Sequence, residues 1–461
     1  MKEHRSVRSK LARLVLMVVG LTVIAGIGLA GCAPAPAPTA APPTAAPPTA
    51  AAPVEAAPTA DPLAEVKAAL DLPSGEAALQ GMVIPIGASL PLSGGDTVVG
   101  ENQAKGIKLA VEHIKLLGGP QFEVTFYDIE MGVVERGLDA IRKMAAAGNP
   151  AALVSWCALL DAQQPDAEAN QILMFDGGCG IGAPAWGGQP YFWGTRTLNS
   201  YDHATGVAAY IKSEMPEATR VALLMQDYGA GQEEPGGTVS IWQEAVEGAG
   251  LTFAGYVKVP IEATEFSDAI TQLRELDPDV IAFTPMDGQA PVNFMKQYVT
   301  SGMTAQVIGN AFTFETAELA GSAYDTYWYG GEQFFPEYAN SVWGQWFTEE
   351  FRKAHGEDPE MFSANYYEDL FKIWDLMRRV AAKGGDPLDG EALQDELMAN
   401  PVFKSVYGGD PTTAGTFTFN LDNHNVAAKI IYLCTVEDSR IVPFASFLGP
   451  SGTDLKILRE P

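Results

Sequence analysis

Hydrophobic and polar positions change period along this chain in a regular way, and the alternation predicts most of its elements. Val83, Ile84, Ile86 and Ala88 form a short apolar run that reads as a buried strand. It ends in a loop carrying Pro91, Ser93, Gly94, Gly95 and Asp96. After Gly100 the period lengthens: Ile107, Ala110, Val111, Ile114 and Leu117 share one face, and Lys105, Lys108, Glu112 and Lys115 the other. That pattern predicts an amphipathic helix, stopped by Gly118-Gly119-Pro120. A strand entering a helix through a Gly-rich loop is half of a βαβ unit, and ligands in open α/β sheets bind beyond the carboxyl ends of such strands. Residues 92–100 are therefore the first place to look for a site.

The alternation continues with strands over 122–126, 151–155 and 172–175 and helices over 134–144 and 162–170. A second series begins near Tyr201, with strands over 221–225, 251–257, 280–283 and 306–308 and helices reaching 215 and covering 238–247, 267–276 and 290–301. Two series of similar length predict an α/β chain of two doubly wound, Rossmann-like lobes. The length of 461 residues agrees, since single cores stop growing near ~250–300 residues. One helix is expected over 351–383, with Phe362, Tyr366, Leu370, Ile373, Trp374 and Met377; it lies too far along for the second lobe and should return to the first. Residues 415–420 and 428–435 alternate like antiparallel strands around Asn423-His424-Asn425. Pro85 is out of place in an internal strand, because it has no N–H for the ladder.

The N-terminus changes the picture most. Lys2, Arg5, Arg8, Lys10 and Arg13 precede an apolar run from Leu14 to Ala30, the charged and hydrophobic regions of a secretory signal. It ends in Leu29-Ala30-Gly31-Cys32, which resembles the bacterial lipobox, with cleavage before Cys32 and lipidation of its thiol; an uncleaved membrane anchor is the alternative. From Ala33 to about Asp61 the chain is almost entirely Ala, Pro and Thr, a composition that cannot form a core and favours an extended tether. A short amphipathic piece over 62–72 leads into the first strand. The formal charge of −28 disfavours nucleic acid and anionic lipid as partners, leaving the lipid as the link to the membrane.

At this point the residues carry a family likeness. Ile84, Ile86, Gly87, Pro91, Leu92, Ser93 and Gly94, followed by Gly100, Gly106, Leu109, Ala110, Val111 and Ile114, resemble the opening strand and helix of type I periplasmic binding proteins of the branched-chain amino-acid group. Asp128, Arg196-Thr197, Tyr228-Gly229, Asp279-Val280 and the strand at 415–419 fall where that group has them. The resemblance implies two lobes joined by three crossovers, a cleft that closes on a small molecule, and delivery to an ABC permease at the outer face of the cytoplasmic membrane. It implies no cofactor. On it, 1–31 is the signal peptide, 32–81 the lipid-anchored tether, 82–199 with 330–412 lobe 1, and 200–329 with 413–461 lobe 2. The crossovers fall near 197–201, 329–335 and 410–415.

An enzyme finds little support. The chain has no G-x-G-x-x-G after the first strand, no G-x-x-x-x-G-K-[ST] and no G-x-S-x-G, and its five His lack metal-ligand spacing. Asp227, Glu233 and Glu234 could be drawn as an acid/base pair or a Ca²⁺ site, but read more simply as a solvated acidic loop. A ligand-sensing receptor domain on the same fold is the alternative to transport.

Two loops decide the expected pocket. Cys157 follows one predicted strand and Cys179 the next, so the two either form a disulfide lining the cleft or remain reduced, with Cys434 a buried thiol. In the resembled amino-acid binders, hydroxyls and backbone N–H groups on these loops hold the ligand carboxylate. Here the positions read Trp156-Cys157-Ala158-Leu159 and Gly178-Cys179-Gly180-Ile181, which leaves backbone donors alone. The family's acidic residue for the ligand ammonium is displaced too, since its region reads Asn310-Ala311-Phe312. Asp287 is expected to take over that role, Tyr228 to cover the ligand, and Val99, Trp156 and Phe312 to make the cleft apolar. The expected ligand is small, amino-acid-like or amide-like and largely apolar, with at most one positive group.

Overall fold

Why the chain alternates between two periods is visible in how its elements stack. A computed structural model describes residues 61–72, 79–94, 96–130, 132–156, 159–179, 187–196, 203–227, 229, 231–261, 263–284, 289–310 and 312–461, the side chains of 314 and 315 excepted. The signal sequence, Cys32 and the Ala/Pro/Thr run therefore lie outside the described residues. In chain order the first lobe begins with α1 (Pro62–Ala69), β1 (Val83–Leu90), α2 (Thr97–Leu116), β2 (Gln121–Asp128), α3 (Val134–Ala146), β3 (Ala151–Val154), α4 (Leu160–Ala169), β4 (Leu173–Asp176) and β5 (Phe192–Gly194). The second lobe follows with α5 (Ala204–Glu214), β6 (Arg220–Gln226), α6 (Thr238–Gly248), β7 (Thr252–Val259), α7 (Ser267–Leu276), β8 (Val280–Phe283), α8 (Ala290–Tyr298), β9 (Gln306–Gly309), α9 (Phe314–Ala320) and β10 (Tyr327–Gly331). The chain then returns through α10 (Val342–His355), α11 (Met361–Ala382), α12 (Gly390–Ala399), β11 (Val402–Ser405), β12 (Gly415–Asn420) and β13 (Asn425–Val426). It closes with β14 (Lys429–Glu437), β15 (Arg440–Gly449) and β16 (Thr453–Ile457).

Lobe 1 is a parallel sheet in the order β2-β1-β3-β4-β5, and lobe 2 a larger sheet in the order β16-β15-β14-β10-β9-β8-β6-β7. Strands β6 to β10 are parallel, and β14 to β16 extend them antiparallel. The strands β3, β4 and β8 are buried at every residue, as expected of strands covered by helices on both faces. Pro85 is tolerated because β3 joins β1 only from Gly87 onward, so one side of the strand has no ladder there to lose.

Three expectations need correction. The helix expected over 351–383 is two helices, α10 and α11, separated at Gly356, which caps α10 in the left-handed conformation at φ 74°. Residues 62–72, assigned to the tether, are folded: Asp61 caps α1 by accepting from the Leu63 N–H at 3.1 Å, and Val66 and Leu70 join the core of lobe 1. The third crossover is at 426–429 instead of 410–415. Strand β12 pairs with β11 and β13, and its Phe417 and Phe419 pack into lobe 1, with Phe419 5.8 Å from Phe175 and 5.0 Å from Trp193 between ring centres. Alternation identified that strand but not the sheet it would cover.

Candidate functional site

In lobe 1 the order 2-1-3-4-5 reverses direction between β1 and β3, and in lobe 2 the order reverses between β6 and β8. These are the topological switch points, and the loops leaving the carboxyl ends of the strands there are the candidate site. From lobe 1 they are the loop after Leu90, Ser155-Trp156 after β3 and Gly177-Gly178-Cys179 after β4. From lobe 2 they are the loops after Gln226, Phe283 and Gly309.

The first loop is tied down by Asp128, at the end of β2. Its carboxylate accepts from Leu92 N at 3.0 Å, Ser93 N at 3.1 Å and Ser93 Oγ at 2.5 Å, and pairs with Arg136 at 3.0 Å. Partial desolvation pushes its pKa up, but these donors win and hold it below the usual carboxylate range. Ser93 is thus a loop fastener, and Val99, one turn into α2, is half-buried.

Trp156 takes the left-handed conformation at φ 71°, which a bulky residue adopts only when its surroundings hold it there. Its indole lies over Gly132, where a Cβ would come within 2.0 Å of the ring, so only glycine admits this pose. Gly178 is equally hemmed in: a side chain there would meet Ser155 Oγ at 2.6 Å and Gln103 Nε2 at 2.8 Å. Gln103 Nε2 in turn donates to Ser155 Oγ at 3.0 Å. The structure therefore brings Trp156, Gly178 and Cys179 to one edge of lobe 1.

One finding bears directly on ligand chemistry. The N–H groups of Gly178 and Cys179, the backbone donors expected for a ligand carboxylate, both donate to Asp176 Oδ1 at 2.8 Å. Asp176 is fully buried at the end of β4, so these amides are committed inside the protein. The Asp-Gly-Gly sequence carries the signal, since an aspartate readily accepts from N–H groups two and three residues on.

Behind the loops stands α11, whose role the sequence reading missed. Asn365 Nδ2 donates to Gly177 O at 3.0 Å, Tyr366 OH to Val154 O at 2.5 Å, and Thr195 Oγ1 to Asp369 Oδ2 at 2.7 Å. Arg196 donates to Gly178 O and lies over the Phe362 ring at 5.3 Å. A buried helix thus holds the backbone carbonyls of Val154 and Gly177 and the Thr195 hydroxyl, the preorganisation a binding wall requires. Its only signal was polar residues on a face that hydrophobic periodicity assigns to the core.

Phe312 is 8% exposed and packs into the core of lobe 2, its ring 5.9 Å from Tyr329. Asp227 and Glu233, two of the three residues of the acidic loop, both pair with Lys258, at 2.8 and 2.9 Å, which explains the charge cluster without a metal. Cys157, Ala158, Gly180, Tyr228, Asp287 and the crossover at 197–201 lie outside the described residues. Cys179 is disulfide-bonded, and Cys434 is a buried free thiol whose pKa burial pushes well up. His113, His203 and His424 are packing groups, stacked or edge-on against Trp346, Trp242 and Trp193. Burial lowers His113 and His203 to about 3, so both are neutral.

Glu360 caps α11 beside this wall and accepts from Asn102 Nδ2 at 2.5 Å. Burial raises its pKa from 4.5 to about 7, against the opposing pull of Asn102 and Lys105. Between those values the folded chain holds a proton that the unfolded chain has released, so this group's contribution to stability falls as pH rises through the window. Glu360→Gln should therefore be more stable than the parent by on the order of 3 kcal/mol at about pH 8 and indistinguishable from it near pH 4, by urea denaturation. An equal difference at both pH values would assign the effect to packing.

The chain matches the family model described as periplasmic binding protein over residues 83–439. Among solved structures it is similar to the branched-chain amino acid transporter substrate-binding protein LivJ of Streptococcus pneumoniae, in complex with isoleucine. That match has 18% identity and a TM-score of 0.65, and covers 82% of this chain and 100% of that one. It is also similar to a solute-binding protein of an ABC transporter from R. palustris in complex with benzoate (20% identity, TM-score 0.64, 78% and 95% covered). A third is an ABC transporter substrate-binding protein from Sphaerobacter thermophilus (22% identity, TM-score 0.63, 78% and 98% covered). At these identities the likeness is one of fold. No curated protein matched the chain.

Proposed function

Since this chain belongs to the periplasmic binding protein family, we propose that it is the extracytoplasmic substrate-binding lipoprotein of an ABC importer. It captures a small molecule between its lobes by hinge closure and presents it to a membrane permease. Cys32 carries the lipid, the Ala/Pro/Thr run holds the folded body off the membrane, and the partner of Cys179 is Cys157. The switch points in the two sheets and a lobe 1 wall held from behind by α11 support capture by closure.

The observation that carries the choice of ligand is the commitment of the Gly178 and Cys179 amides to Asp176. With those donors spent and no hydroxyl in Trp156-Cys157-Ala158-Leu159 or Gly178-Cys179-Gly180-Ile181, the lobe 1 wall has little with which to hold a free α-carboxylate. We therefore assign a small, largely apolar ligand with at most one positive group, covered by Tyr228 and read by Asp287, of the size of the isoleucine and benzoate held by the structural neighbours. A thermal-shift screen of amino acids, amides, urea and small aromatics finds it, because a ligand at ~100 times its Kd adds about 2.7 kcal/mol. Calorimetry then tests the pocket: leucine, isoleucine and valine should bind weakly, and the true ligand should lose affinity in Asp287→Ala. Sub-micromolar binding of a branched-chain amino acid that survives Asp287→Ala would contradict this assignment.

A further inference from the structure

All three crossovers converge on one buried ammonium. Lys429 opens β14 directly after the third crossover, and its side chain is 7% exposed. Its Nζ pairs with Glu332, in the second crossover, whose side chain is 0% exposed. It donates also to Thr195 O, in the first crossover, at 3.3 Å, and to Asn365 Oδ1 on α11 at 2.9 Å. The Tyr407 ring covers it at 4.1 Å, and Tyr407 OH donates to the same Asn365 oxygen at 2.7 Å. Three acceptors saturate the three protons of an ammonium, and the Lys429 and Glu332 side chains are buried, at 7% and 0% exposed.

The arrangement is asymmetric in a useful way. Lys429 is rooted in the lobe 2 sheet, whereas Thr195, Asn365 and Tyr407 belong to lobe 1 or its exit, and Glu332 directly follows β10 in the second crossover. Lobe 2 can twist about Nζ while keeping all three bonds, because an ammonium on a flexible stem tolerates rotation. Sliding or splaying of the lobes would instead strip a buried charge of its partners, which is unfavourable.

We propose that Lys429 and Glu332 staple the three crossovers together and confine the lobes to a twisting closure, acting as positioning residues for ligand capture. The inference rests on the hinge closure proposed above. A merely structural ion pair would change stability and leave the lobe geometry alone, whereas the staple sets the geometry itself.

The test uses Lys429→Met with Glu332→Gln, which removes both charges so that neither is left buried alone. Nitroxide labels at Lys115→Cys on lobe 1 and Glu244→Cys on lobe 2, both exposed positions, report the interlobe distance by pulsed dipolar spectroscopy in the unliganded full chain. Cys434 is buried and does not compete for label. The expected result is a narrow distribution in the parent and one at least twice as broad in the variant, with near-ultraviolet circular dichroism unchanged. Should the methionine variant not fold, Lys429→Gln with Glu332→Gln keeps hydrogen-bonding groups at both positions and carries the same expectation. Coinciding distributions in parent and folded variant overturn the staple. Hinge closure fails separately, if an amide or uncharged aromatic from the thermal-shift screen is shown by calorimetry to bind the parent and its interlobe distance does not move.

Discussion

Lys372→Met should cost about 3–5 kcal/mol at neutral pH, the usual consequence of stripping one partner from a buried ion cluster. Lys372 Nζ lies 2.5 Å from Glu368 Oε1 and 3.2 Å from Asp369 Oδ1, and the three side chains are 2%, 1% and 0% exposed. The ammonium also sits 4.1 Å from the centre of the Phe417 ring. Glu368 accepts in addition from Ser405 Oγ at 2.7 Å and Val406 N at 2.8 Å, so the cluster ties α11 to β11. Burial already raises Asp369 from 3.8 to about 6 with the cation in place. Without it, two carboxyls must share a dry site, and Asp369 is pushed further toward its protonated form. Urea denaturation should therefore show the loss at neutral pH and a partial recovery on acidification, as Asp369 becomes neutral. A loss below about 1 kcal/mol would mean that the cluster is hydrated and behaves like a surface pair.

Gly106→Ala should be nearly as damaging, by about 3 kcal/mol, although alanine is the better helix former by up to about 1 kcal/mol. Helix α2 crosses α11 at this point so closely that a Cβ on Gly106 would stand 2.0 Å from Ser363 O and 2.8 Å from Ser363 C. Those are backbone atoms, so no rotamer change relieves the clash and α2 must move. The same helix carries Gln103, whose amide donates to Ser155 Oγ in the loop after β3, so ligand affinity should fall along with stability. Gly248→Ala is the control, since its Cβ would meet nothing within 4 Å. It should be neutral or slightly stabilising in the same thermal melt. Equal effects at the two positions would remove close helix packing as the explanation.

Gly106 was legible as part of a patterned strand-loop-helix, and so was nearly every parallel strand and its following helix. Local periodicity records which face of an element is covered, and in this fold neighbours in sequence are mostly neighbours in space. What it does not record is the distant partner. Phe417 and Phe419 alternate as any half-buried strand would, and nothing local says that they cover Phe175 and Trp193 and not the sheet of lobe 2. Nothing local marks Lys429 as buried, because its acceptors at the crossovers are supplied by remote chain segments, and Lys372, whose acceptors lie on its own helix, is enclosed with them by the remote Ser405 and Val406. The helix break was a different case: Gly356 and Pro359 carried an ordinary stop signal, overridden by the apolar period on either side. At the cleft, the missing hydroxyls could be read from the sequence, while the capture of two amides by Asp176 depended on the loop's path.

The central claim is that two lobes close on a ligand, and small-angle X-ray scattering of the full chain measures this most directly. The compound giving the largest thermal shift is added to saturation, with binding verified by calorimetry on the same sample. The account predicts a smaller radius of gyration and a shortened maximum dimension in the bound state. Superimposable curves from the free and the fully bound protein would contradict it.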